Sequence, residues 1–457
     1  MADALEDYFK LLESNKGIVV RETPRLDVDL YIQNYRGRTR WDRLLLIGQT
    51  STRLCVDALK AAVAEAKNGK DTLRYITAVE HLQKASPTDP DAVLDEDWVK
   101  RMEQANRSET QRLEAELKGY KNNLIKESIR MGHEDLGKHY ESIGELSKAF
   151  DAYSHMRPDI SAPRHIVDIA KHLANISLQR RDWVMVATNL NKLMGFQDGE
   201  EEKNFQPYQK IAMGIGLLGQ SKYQEAAQSL LEAHTAIPST MYSDIASPND
   251  VAVYACLLAL ATMDRNDLKK KVLENANFKT FLQLEPHLRK AVSQFVIGRY
   301  SACLAILESH RPDYLLDIYL QKHVAKIFAD IREKCIVSYM VPFSRVALAG
   351  MNTAFGSPEK AIEPELADMI RSGKLRARIN KIDGAIVPSK PRSELQKAGL
   401  EKAKSYETEA VERIRRMSLL AADLEVKGNR RQNLGGGLHQ QTLPGDTSEM
   451  AFDPPSV

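Results

Sequence analysis

Along most of the chain apolar residues recur at three- and four-residue steps, the period of helices buried on one face. Leu44, Leu45, Leu46 and Ile47, followed by Leu54, Ala58, Leu59, Ala62 and Val63, predict two helices near the N-terminus. Residues 86–91 read as a polar turn, and Trp98 opens a long charged helix running to about Lys118. Between residues 120 and 310 small residues punctuate the apolar pattern. Leu136, Gly137, Tyr140, Gly144, Ala149 and Tyr153 run large, small, aromatic, small, small, aromatic, which predicts a helix, a tight turn and a helix. Small residues return after Ala149 at Ala187, Ala226 and Cys303, a spacing of about 38 residues and then twice that. Gly298 and Leu307 flank Cys303 as Gly144 and Tyr153 flank Ala149.

The unit at 136–153 follows the tetratricopeptide (TPR) pattern, in which small residues let two antiparallel helices approach and aromatic ones fill the space left. Residues 120–310 are therefore expected to form a right-handed stack of TPR-like helical hairpins. Residues 251–278, helical by their apolar content, are expected to hold the missing unit, and the block before the repeats to cap the stack.

After His310 the pattern changes, because Arg311-Pro312 ends the last hairpin. Residues 324–339 predict an amphipathic helix and 344–355 a short one. Gly356-Ser357-Pro358 predicts a turn with Ser357 as N-cap, and 359–371 a second helix kinked at Pro364. Leu375, Ile379, Ile382 and Ile386 then alternate imperfectly with polar residues around Asp383-Gly384, a strong hairpin signal. Two helices followed by a β-hairpin make a winged helix. Residues 393–427 form one helix, with Leu400, Ala403, Glu407, Ala410, Ile414, Met417, Ala421 and Leu424 in strict three-four spacing. Such a seam needs a partner, in its own domain or on helices of other chains. The remaining 30 residues are Gly-, Pro- and polar-rich and predict disorder. The expected division is an N-terminal segment 1–35, a helical block 36–118, repeats 119–310, a winged helix 311–390, a terminal helix 391–427 and a tail 428–457.

Composition narrows the function without specifying it. The 64 Lys+Arg against 62 Asp+Glu give a net charge of +2, far from a dedicated polyanion binder. Four cysteines, Cys55, Cys256, Cys303 and Cys335, stand singly, which argues against zinc and disulfides and for a reducing compartment. The N-terminus lacks the features of a signal peptide and no apolar run is long enough to span a bilayer, so a soluble intracellular protein is expected.

Candidate chemistry is sparse. GIGLLG at 214–219 matches GxGxxG, but it lies inside a repeat helix, where small residues serve close helix packing. His133-Glu134 begins like HExxH, yet the fifth position is Gly137. There is no HxH pair, no GxSxG elbow and no GxxxxGK[ST] loop. The winged helix raises DNA binding as an alternative, but residues 359–368 carry four acidic residues and one lysine, the wrong sign for phosphates. Neither catalytic nor cofactor nor metal residues are expected.

Helical repeats running into a winged helix and a terminal helix resemble the PCI module of the proteasome lid, the signalosome and an initiation-factor complex. Two segments sharpen the likeness: Tyr120, Lys121, Asn123, Ile125 to Arg130, Gly132, His133 and Asp135 to Gly137, and the earlier Tyr35, Gly37, Arg40, Arg43, Leu44 and Ile47. In these the chain, over residues 26–425, resembles the subunit-1 family of the constitutive photomorphogenesis (COP) signalosome. The resemblance implies a non-catalytic scaffold subunit, in cytoplasm and nucleus, of the complex that removes a ubiquitin-like modifier from cullins. Its implied partners are other PCI subunits, the JAMM-type isopeptidase subunits and, through the complex, cullin-RING ligases. It also implies that the wing adds edge to edge onto neighbouring PCI subunits and that the terminal helix joins a bundle. On that basis Leu375, Ile379 and Ile386 are interface candidates of the wing, and Leu400, Ile414, Met417 and Leu424 of the bundle. The paralogous PCI subunit of the proteasome lid is the nearest alternative, and a winged-helix nucleic-acid-binding regulator the alternative of another class.

Overall fold

A computed structural model describes residues 2–160, 162–192, 200–233, 239–356, 361–388 and 392–422. The chain divides into two units, Met1–Pro388 and Ser389–Val457.

In the first unit the N-terminal residues form helices Ala2–Ser14, Val28–Ile32, Arg38–Thr50, Cys55–Asn68 and Thr72–Ala85, followed by the long helix Glu96–Asn123. Aspartates set the starts: Asp71 accepts from the Arg74 amide at 3.2 Å and Asp95 from the Trp98 amide at 3.0 Å, each satisfying an orphan donor of the first turn. The expected stripe Ala58, Leu59, Ala62 and Val63 is buried, with Leu44, Ile47, Tyr75 and Leu82, in a core that also takes in Leu316 from far along the chain.

Four helical hairpins follow: Lys126–Ile143 with Leu146–Ser154, Pro163–Gln179 with Trp183–Asn191, Glu200–Gly219 with Tyr223–Leu231, and Pro286–Ile297 with Tyr300–Ser309. Each turns through one left-handed residue, respectively Gly144 (φ 91°), Arg181 (57°), Ser221 (61°) and Gly298 (93°). Measured from that residue the repeat is regular. Seven positions earlier stand Gly137, Ala174, Gly214 and Ala291. Five positions later stand Ala149, Val186, Ala226 and Cys303, all fully buried. A methyl group on Gly137 would lie 2.6 Å from the Tyr153 ring, and one on Gly214 2.5 Å from Leu230 Cγ, so both glycines are required by close approach. GIGLLG is thus helix packing. The expected small residue of the second repeat, Ala187, is only half-buried, and Val186 takes its place because the turn falls one residue earlier than the spacing from Gly144 suggests.

Residues 251–278 do not hold a further hairpin of this kind. Helix Pro248–Thr262 is buried on nearly every side, and short turns Arg265–Asp267 and Leu268–Leu273, the latter a π-helix, lead to Lys279–Leu284. The N-terminal block does not cap the end of the stack. It lies along it: Arg38 donates to the Glu141 carbonyl at 2.9 Å, the Arg36 amide to the Ser243 carbonyl at 3.1 Å and the Arg25 amide to Asp313 at 2.8 Å.

The winged part joins the same core. Helix Val324–Met340 sends Lys334 to the carbonyls of Leu260 (2.7 Å) and Met263, where a cation is favoured by the end of helix Pro248–Thr262; burial lowers its ammonium to about 8. Arg332 holds Glu365 with two hydrogen bonds, 2.7 and 2.9 Å, tying this helix to Glu363–Arg371. Pro364 sits in the first turn of that helix, where its missing N–H costs nothing, so it opens the helix and does not kink it. Residues 344–355 are not one helix: Val346–Ala347 is strand β1, and helix Leu348–Phe355 follows it. Strands β2 (Ala377–Asn380) and β3 (Ala385–Pro388) form the expected hairpin, with Gly384 at φ 56°, and the antiparallel order is β1-β3-β2. Ser357 lies outside the described residues.

Among the described residues, the second unit contains one long helix, Arg392–Ala421.

Candidate assembly surfaces

The motif at 35–47 splits its residues between two jobs. Leu44 and Ile47 enter the core of the N-terminal block, while Tyr35 and Arg43 face the repeats. Arg43 is fully buried, and its guanidinium donates to Asp317 Oδ2 at 2.7 Å and Asp250 Oδ2 at 2.9 Å while stacking 4.0 Å from the centre of the Tyr35 ring. Tyr35 donates to Asp250 at 2.7 Å and Tyr254 to Asp317 at 2.6 Å. Backbone amides complete the carboxylates' partners: Ser247 N to Asp250, and Tyr319 N and Leu320 N to Asp317. Burial opposes the charge on Arg43; Asp250, then Tyr31 and Tyr35, then Asp317 more than offset it and hold the group well above its ordinary value. A buried charge persists only when paired in this way. The network therefore locks the block to two segments that are distant in sequence, around Asp250 and Asp317.

The motif at 120–137 builds the junction between the long helix and the first hairpin. A methyl on Gly132 would stand 3.0 Å from Leu117 and Tyr120, Arg130 pairs with Glu127 (2.7 Å) and Glu134 (2.8 Å), and Gly137 admits Tyr153. His133 is buried, with its value lowered to about 4 by burial first and by Lys121 and His155 after it. These residues pack the long helix against the first hairpin.

A second histidine pair lies elsewhere. His287 and His310 stack at 3.8 Å beside a cavity of about 460 Å³. Arg25 Nη1 donates to His310 Nε2 at 3.0 Å, which leaves the proton on Nδ1, facing the Ile306 carbonyl at 3.0 Å. His287 has Tyr314 Oη at 2.8 Å on one nitrogen and Glu285 at 3.2 Å on the other. Both rings thus spend both nitrogens on structural partners. Among the described residues no group of three or more His, Cys, Asp or Glu is placed to hold a metal ion, and no helix is long and apolar enough to cross a membrane. All four cysteines are free and buried.

In the wing, Leu375 and Ile386 are buried in the main core and Ile379, paired across the hairpin with Ile386, is half-buried. The structure makes Leu375 and Ile386 folding residues. Strand β2 is at one edge of the sheet, as β1 is at the other, and its strand partner among the described residues is β3 alone. The acidic helix Glu363–Arg371 is further occupied by Arg332 on Glu365 and Lys381 on Glu363.

The terminal helix is different in kind. Leu400, Ile414 and Met417 are 59%, 61% and 69% exposed, and Val411 and Leu420 are also exposed. Leu424 lies outside the described residues. Sequence reasoning identified this stripe but missed Asp250, Asp317 and Tyr254. The Ser247-Pro-Asn-Asp250 capping box marks a helix start in the sequence, yet nothing there says its aspartate also receives an arginine from 207 residues away.

Comparison with known proteins agrees with this architecture. Residues 95–271 match the family model described as 26S proteasome subunit RPN7, and residues 307–390 match the PCI domain. A Neurospora crassa protein named COP9 signalosome complex subunit 1 is 49% identical over 94% of this chain and 95% of its own length. The proteins of that name from Emericella nidulans and Arabidopsis thaliana are 45% and 33% identical, over 89% and 80% of this chain and 84% and 83% of their own. With its helical repeats, its winged PCI part and this degree of identity over nearly its whole length, the chain belongs to the family of COP9 signalosome complex subunit 1.

Proposed function

We propose that this chain is a non-catalytic scaffold subunit of the COP signalosome, the complex that removes the ubiquitin-like modifier from cullins and so regulates cullin-RING ubiquitin ligases. The observation that carries the reading is the terminal helix, whose apolar stripe through Leu400, Ile414 and Met417 stays exposed on the chain by itself. Burying three such side chains against partner helices is worth roughly 1.5–3 kcal/mol each before the cost of association, so the stripe contributes to holding a subunit in a complex alongside its other contacts. The partners are other PCI subunits and the JAMM-type isopeptidase subunits, and cullin-RING ligases are reached through the complex. The free backbone of β2 suits addition of a neighbour's strand, with Leu375, Ile379 and Ile386 holding the wing in shape. Leu424 extends the bundle seam by its spacing. Cytoplasm and nucleus are the places where such a complex would meet its ligases.

The test is the pair Ile414→Asp and Met417→Asp in the full chain. Two charges on an exposed helix face leave the fold intact, so the variant should keep its melting temperature yet fail to join the other subunits on size-exclusion chromatography. Co-elution as tight as that of the unaltered chain would remove the helix from the interface.

A further inference from the structure

The cleft between the second repeat hairpin and the link that leads into it has a composition that neither the fold nor the assembly reading uses. A cavity of about 310 Å³ is walled by Ile160 and by Ile166, Ile169, Ala170 and Leu173 of helix Pro163–Gln179. Its polar groups are Arg157, Asn189 and Lys192, with no carboxylate among the described lining residues. Asn189 is 2% exposed, and its Nδ2 has no hydrogen-bond partner. Its Oδ1 accepts from Arg157 Nη2 at 3.5 Å. Because a guanidinium only donates, that contact fixes the amide's orientation and leaves both N–H groups of Nδ2 without an acceptor. A buried donor with no acceptor is a standing cost to the fold, of a kind that native interiors rarely carry without a use.

We propose that this cleft is a docking site for an extended segment of a partner protein that carries an apolar side chain next to a carboxylate. Charge complementarity selects that occupant: two exposed cations, Arg157 and Lys192, flank an apolar wall with no carboxylate among the described residues that line it. The apolar side chain enters between Ile166, Ile169 and Leu173. The carboxylate pairs with the outward N–H groups of Arg157 and with Lys192, and the unpaired Nδ2 of Asn189 donates to a main-chain carbonyl of the guest.

The test uses the full chain and a phage-displayed library of random hexapeptides. The unaltered chain should enrich peptides with Asp or Glu beside Leu, Ile, Met or Phe. The double variant Arg157→Glu plus Lys192→Glu should enrich basic–apolar peptides instead. Asn189→Leu, which replaces the unpaired amide by an apolar group of similar size, should raise the melting temperature while weakening the selected peptides at least tenfold. A lowered melting temperature in Asn189→Leu would show that the amide already has a partner, and unchanged selectivity in the charge-reversed variant would show that the cations do not read the guest. Either result overturns the proposal. So would enrichment that arises only after residues 193–199 are replaced by a Gly-Ser linker, because the chain itself would then be the occupant.

Discussion

Replacing Arg43 with methionine tests the buried network that joins the N-terminal block to the repeats. The substitution keeps the length and apolar stem of the side chain while removing the cation that pairs with Asp250 and Asp317. Both carboxylates keep their tyrosine and amide donors, so they are not wholly stranded. The cost is bounded by the alternative of protonating a buried aspartate, which from an ordinary value near 3.9 requires about 4 kcal/mol at pH 7. Two neighbouring carboxylates can share one such proton, so the expected loss is about 4 kcal/mol, within the range of about 3–5 kcal/mol for removing one partner of a buried ion pair. That loss falls on docking of the block, so amide exchange in Arg38–Thr50 should quicken by about three orders of magnitude while Glu200–Gly219 changes little. The sign of the pH effect is fixed. In the variant the folded state holds a proton that the unfolded state releases above its ordinary value, so the deficit shrinks by about 1.4 kcal/mol per pH unit as pH falls from 7 towards 5. A deficit below about 1 kcal/mol, or one that grows on acidification, would refute the pairing.

Other outcomes follow from the same geometry. Arg181→Gly and Ser221→Gly each relieve a left-handed turn position and should stabilise the chain by about 0.5–1 kcal/mol in thermal melts, the backbone relief being partly offset by the extra freedom of the unfolded chain. Gly214→Val drives a branched side chain against Leu230 and should cost about 1–3 kcal/mol by the same assay. His133 and His172 are both lowered to about 4, chiefly by burial. Between pH 6.5 and 4 the unfolded state therefore binds protons that the folded state refuses, so stability should fall as pH drops through that window; His172→Phe, which keeps the stacking on Tyr153, should flatten the fall.

The architecture was legible where local physics repeats itself. The three-four spacing marked the helices, and Gly144 and Gly298 marked two of the hairpin turns because only glycine takes a left-handed turn without strain. The other two turns use Arg181 and Ser221, which carry no such signal, and the repeat was consequently read one residue late at Ala187. Strand β1 escaped notice because two residues cannot show an alternating pattern and its partner lies some forty residues further on. The Arg43 network was illegible for the same reason at greater range: its two aspartates stand 207 and 274 residues away. Among the interface candidates, a buried leucine and an interfacial one look alike in sequence, which is why Leu375 and Ile386 stood beside Leu400 and Ile414. The structure separates them: the first pair is covered by its own chain, and the second is exposed.

The most direct test of the central claim is to purify the full chain by affinity from its own cells, identify what comes with it by mass spectrometry, and assay the eluate for removal of the ubiquitin-like modifier from a cullin. The account predicts a set of PCI subunits together with a JAMM-type isopeptidase, and cullin demodification that is lost when Ile414 and Met417 are replaced by aspartate. Recovery of proteasome-lid subunits without that activity, or of chromatin alone, would contradict it.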